Sequence, residues 1–178
     1  MNIINYSKNI LNFLDNNQIN DEINYWIQYI KANNPKKIIL LANGGSLAIV
    51  EHIATDLNKT TNFIALCNSN LSTYSCFSND YGHDLVYLKF LEKFLESTDL
   101  LIAVSSSGES MNIINGCKFA KEKGSKIFCL SGFDENNKLN KLSKNFIHIP
   151  SNHYNYIENC HQIILTFLVD SLNKDNSN

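Results

Sequence analysis

Leu100-Leu101-Ile102-Ala103-Val104-Ser105-Ser106-Ser107-Gly108-Glu109-Ser110 is an apolar run that ends in a serine-rich turn. The run does not alternate with polar residues, which is the pattern of a strand covered on both faces. A helical pattern follows over 111–123, and Gly124 closes it. The same order of parts occurs earlier. Lys37-Ile38-Ile39-Leu40-Leu41-Ala42 leads into Asn43-Gly44-Gly45-Ser46, and a helical pattern runs over 47–57.

Each turn therefore sits between a buried strand and the start of a helix. A helix start carries N–H groups without intrahelical partners and the positive end of the macrodipole. With hydroxyl donors added, it forms a seat for phosphate. Ser46, Ser105, Ser107 and Ser110 supply the hydroxyls, and Gly44, Gly45 and Gly108 let the backbone come close. Either turn by itself is equally an ordinary strand-to-helix turn with Ser46 or Ser110 as N-cap. The pairing of two seats at one sheet edge points to a phosphorylated small molecule. Neither turn has the Gly-Lys-Ser/Thr of a Walker loop or the GxGxxG of a dinucleotide site. Glu109 is repulsive beside a phosphate unless it points away or meets a cation; facing solvent or a sugar hydroxyl also remains open.

Outward from these turns, strands are predicted at 37–42, 63–67, 100–104, 126–130 and 145–149. Helices are predicted at 4–14, 21–31, 47–57, 84–95, 111–123 and 154–172. In the first two helices Ile10, Leu11 and Leu14, then Ile23, Trp26, Ile27 and Ile30, share apolar faces, and Pro35 stops the second. Alternating strands and helices predict an α/β fold, a doubly wound parallel sheet with right-handed crossovers. Ligands of such sheets lie beyond the carboxyl ends of the strands. One domain is expected over 1–178: N-terminal helices in 1–34, the α/β core in 35–172, and a frayed tail at 173–178.

The bulk composition agrees. At 178 residues and 44% hydrophobic, the chain can bury one sizeable core. A net charge of -2 gives no basic footprint for direct nucleic-acid binding. No stretch approaches the ~20 apolar residues of a membrane span, and residues 1–6 lack a signal peptide's basic start. The five cysteines, odd in number and without CxxC spacing, read as reduced core thiols of a cytoplasmic protein.

The motifs occur in the order seen in sugar isomerase (SIS) domains. Asn43-Gly44-Gly45-Ser46, Ser78-Asn79-Asp80-Tyr81-Gly82 and the turn 105–110 resemble the phosphoheptose isomerases most. So do the helix holding His52 and Asp56, Leu130-Ser131-Gly132, and the helix with Ile157-Glu158-Asn159-Cys160-His161. The resemblance implies a flavodoxin-like five-stranded parallel sheet and a homotetramer whose N-terminal helices pack between subunits. It implies isomerisation of sedoheptulose 7-phosphate to a mannoheptose 7-phosphate for surface polysaccharide. It carries Asn43, Ser46, Ser105, Ser106, Ser107 and Ser110 over as phosphate and sugar contacts, and Asp80 as a further one.

The resemblance also implies zinc, held by a histidine and a glutamate one helical turn apart and by a glutamine and a histidine on the last helix. Here His52 matches the first ligand. Asp56, Glu158 and Thr166 stand where the glutamate, glutamine and second histidine belong. His52, Asp56 and Glu158 are thus the expected metal ligands, with Asp56 or Glu158 as the base. Thr166 is too weak an acid for the exchange expected of that histidine. His161, His153 or a neighbouring subunit is open as its replacement. His83 and His148 receive no role. Two functions follow: an active sugar phosphate isomerase, or a catalytically impaired phosphosugar-binding or DnaA-associating regulatory module.

Overall fold

Alternation along each strand divides the core in two. The computed structural model describes residues 2–173, so residues 174–178 of the expected tail lie outside it. The strands are β1 Lys37–Leu41, β2 Ile64–Cys67, β3 Leu100–Ser105, β4 Lys126–Ser131 and β5 Phe146–His148. They form one parallel five-stranded sheet in the order β2-β1-β3-β4-β5. The predicted fold class is the observed one.

Ile38, Leu40, Leu100, Ile102, Val104 and Phe128 point to one face. They are covered by α1 Ile3–Leu14, α2 Asn17–Asn33, α3 Gly44–Thr60 and α7 Tyr154–Leu172. Ile39, Leu41, Leu101, Ala103 and Cys129 point to the other face, under α5 Val86–Phe94 and α6 Met111–Glu122. The N-terminal helices are part of the core: the Trp26 indole stacks on Phe128 at 4.5 Å between centroids. Asn2 and Asn16 cap α1 and α2, each accepting from the backbone N–H two residues on. The Asn16 cap starts α2 four residues before the predicted 21.

The sequence pattern predicts no helix between β2 and residue 84, yet α4 Leu71–Tyr81 forms there. None of its residues is fully buried, so it lacks the apolar stripe that makes a helix legible. Its start is fixed by the Asn70 side chain, which accepts from Thr73 N. A short 3₁₀ turn, His83–Leu85, then leads into α5. No helix among the described residues is long and apolar enough to cross a membrane.

Candidate functional site

β1 and β3 are neighbours, with Leu41 paired to Ala103. The two serine turns therefore leave the same sheet edge side by side, about one strand spacing of ~4.8 Å apart. The connections reverse direction between these two strands, so this is the topological switch point. A cavity of about 310 Å³ opens there. Asn43, Gly44, Gly45 and Ser46 form one wall and Ser105, Ser106, Ser107 and Ser110 the other. The eight residues of the two turns read as phosphate or sugar contacts thus line one cup.

The cup is rich in donors. Neither the α3 nor the α6 N-terminus has a side-chain cap, so Ser110 sits at an N-cap position without capping. Its hydroxyl accepts instead from Ser105 Oγ at 3.2 Å. The Ser106 hydroxyl is buried and, among the described residues, has no hydrogen-bond partner. A buried unpaired hydroxyl costs about 1–3 kcal/mol, a cost that an acceptor in the cup would remove. Asn43 and Asn112 brace the first turn through reciprocal amide bonds of 2.9 Å.

The second turn is clamped from behind by the chain after β4. Gly132 N donates to Ser106 O at 2.8 Å, and Leu139 N to Gly108 O at 3.0 Å. Gly108 has a φ of 66°, and a Cβ there would overlap the Asn137 amide. Glu109 is engaged outside the cup, accepting from Lys138 N at 3.0 Å and pairing with Lys138 Nζ at 2.7 Å. Lys138 holds its carboxyl below the usual glutamate range. The repulsion raised by this residue is met by a cation.

A carboxylate does enter the cup from α7. Glu158 Oε1 accepts from Ser46 Oγ at 3.1 Å, and its other oxygen lies 2.8 Å from where a Cβ on Gly45 would be. The glycine at 45 makes room for this carboxylate.

The remaining expected site residues do not join the cup. Asp80 is exposed on the last turn of α4, accepting from Cys76 Sγ at 3.5 Å and Asn79 Nδ2 at 3.1 Å. His52 and Asp56 pair with each other on α3, Nε2 to Oδ2 at 3.0 Å. Ser46, which holds Glu158, is ten residues before Asp56, about 15 Å along a helix axis. Accordingly, among the described residues no three His, Cys, Asp or Glu side chains gather to hold a metal ion. The expected set of His52, Asp56 and Glu158 is not assembled within one chain, and Asp56 is not placed as a base at the cup.

Nor does a histidine on the last helix replace Thr166. His161 is wholly buried, its Nε2 3.2 Å from Ser131 O, and burial pushes its pKa down to about 4. His153 rests on Tyr156 at the start of α7, 4.8 Å between ring centroids. Thr166 accepts from Gln162 Nε2 at 3.1 Å.

Residues without a sequence signal line a second cavity of about 480 Å³, which shares Asn43 and Gly44 with the cup. Asn68, Tyr74, His83 and Tyr87 form its walls. They come from the β2–α4 loop, α4, the 3₁₀ turn and α5, segments that no motif connects.

The SIS domain profile matches residues 4–132, a stretch that contains both serine turns. This chain belongs to the SIS domain family. Among its SIS relatives, the phosphoheptose isomerase of Aliarcobacter butzleri is 38% identical over 135 residues, 72% of this chain and 70% of the relative. That of Helicobacter pylori is 31% identical over 148 residues, 79% of this chain and 76% of the relative. A phosphoheptose isomerase structure from Neisseria gonorrhoeae superposes with a TM-score of 0.72 at 26% identity, covering 77% of this chain and 76% of that one. One from Francisella tularensis shares the fold over 97% of this chain and 96% of that one, with a TM-score of 0.83 at 19% identity. The last helix, with Glu158 and Thr166, lies beyond the residues that the SIS profile matches.

Proposed function

We propose that this chain is an aldose–ketose isomerase that converts sedoheptulose 7-phosphate to D-glycero-D-manno-heptose 7-phosphate, supplying heptose for surface polysaccharide. The observation that carries this reading is the convergence of both serine turns on one cup, with the unpartnered Ser106 hydroxyl in its wall. The names of the relatives supply the substrate.

In this reading the α3 and α6 N-termini and the serine hydroxyls grip the phosphate, and the carbonyl end of the sugar extends beyond the cup. All these donors are neutral: among the described residues no lysine or arginine lines the cup. Oriented dipoles at two helix starts then carry the recognition. Among the described residues of one chain, the side chains do not fit a zinc site.

The protein works in the cytoplasm as a homo-oligomer, a tetramer by its resemblance. Exposed Ile3, Ile4 and Leu11 on α1, with Ile163 and Phe167 on α7, support subunit packing, because these two helices lie against each other. The regulatory alternative is not favoured, since the relatives are named for the isomerase. The test is incubation of the purified protein with sedoheptulose 7-phosphate, with and without zinc, while anomeric signals are followed by NMR. Appearance of the aldose supports the reading. No product at high enzyme concentration overturns it.

A further inference from the structure

We infer that His83 is the acid/base group of the isomerase, with Asn68 as the donor that steadies the reacting oxygen, both acting from the second cavity. The inference rests on the isomerase reading above. In a heptose 7-phosphate the phosphate and the carbonyl stand at opposite ends of the carbon chain. With phosphate in the serine cup, the reacting carbons must lie in a neighbouring space. The 480 Å³ cavity shares Asn43 and Gly44 with the cup and so continues it.

The ionisable side chains on the two cavity walls are Glu158, Tyr154, Tyr74, Tyr87 and His83. Glu158 is held at the phosphate end by Ser46. Burial pushes the Tyr74 and Tyr87 hydroxyls up, and Tyr87 already donates to Ala42 O. Among the described residues, His83 is the imidazole on these two walls, with a side chain 59% exposed.

The surroundings of His83 set its tautomer. Asp84 Oδ1 is 3.7 Å from Nδ1, which favours the proton there. Asn112 turns its Nδ2 toward Nε2 at 3.4 Å. That amide cannot turn round, because Asn43 and Ile113 N hold its oxygen. A donor facing Nε2 leaves this nitrogen as the base. From α4, Tyr74 stands edge-on at 6.2 Å, with Tyr87 of α5 6.0 Å from Tyr74.

Asn68 supplies the second observation. It is 2% exposed on the same wall, and its Nδ2 has no acceptor among the described residues. A fixed donor without a partner suits an oxygen on which negative charge develops.

In the step, His83 Nε2 takes a proton from C1 of the open-chain ketose. The C–H pair becomes C1=C2, and the carbonyl pair becomes O2–H with a proton from water. His83 then returns its proton to C2. The O1–H proton leaves to water and C1=O forms, so atoms and electrons balance. Asn68 Nδ2 donates to O2 while the charge is on it.

The test compares wild type, His83→Gln and Asn68→Ala on sedoheptulose 7-phosphate, with inorganic phosphate as competitor. For His83→Gln, kcat is expected to fall roughly 10²–10⁴-fold. Deuterium uptake from D₂O at the reacting carbon should be lost with it. Phosphate competition should not change. Asn68→Ala should lower kcat by roughly 10²-fold. Turnover in His83→Gln within about twofold of wild type, with deuterium uptake retained, overturns this inference and leaves the isomerase reading standing. A wild type without turnover overturns both.

Discussion

The serine cup and the α3 set of His52 and Asp56 were legible by the same kind of motif, yet the fold treats them differently. The cup assembles. Its two turns follow neighbouring strands whose register, Leu41 against Ala103, is fixed by backbone hydrogen bonds. The α3 pair stays apart from Glu158, because meeting it would require a particular axial offset between α3 and α7. The fold places Glu158 at the first turn of α3, opposite Ser46, and leaves His52 and Asp56 further along the helix. Strand neighbours are quantised in space by the ladder. Helix neighbours slide until their side chains pack.

The hardest challenge to this contrast is Gly108→Ala. It places a Cβ on the Asn137 amide at a positive φ. A loss of about 3 kcal/mol is expected in denaturant unfolding, together with loss of phosphate binding. A near-neutral result would mean that the clamp behind the second turn is slack. Next is Ser106→Ala, which removes an unpartnered buried hydroxyl. Folding stability should hold or rise, while phosphate affinity by calorimetry should drop about tenfold, or ~1.4 kcal/mol. Unchanged affinity would remove Ser106 from the phosphate seat.

Glu158→Gln probes the one place where α7 reaches the cup. Glutamine keeps an acceptor for Ser46 and drops the charge. Phosphate should bind roughly fivefold tighter, since like charges a few ångströms apart near a protein surface repel by ~1 kcal/mol or more. Weaker binding would show that the carboxylate serves the anion site in some other way. The smallest effect belongs to His52→Ala. The pair it breaks is exposed at 58% and 34%, so stability should change by less than about 0.5 kcal/mol, and phosphate affinity not at all. A large loss of phosphate binding would join the α3 pair to the cup and erase the contrast.

Glu109 and the histidines show why the remainder of the site was not legible. The repulsion at Glu109 was visible, but its relief by Lys138 depends on how the chain after β4 folds back. His161 and His83 look alike in sequence. One is sealed under β4 and neutral, and the other faces a cavity beside a braced amide. Burial is a property of packing, so no motif separates them.

From residue order alone came the parallel α/β fold, the paired seats for phosphate and the family, because apolar runs and turn chemistry are local and a parallel ladder repeats at fixed spacing. Tertiary structure alone decided that Glu158 faces Ser46, that His52 and Asp56 stand away from it, and that Asn68 and His83 line the same second cavity. Those relations join segments distant in sequence, through helix packing and loop paths that no short pattern encodes.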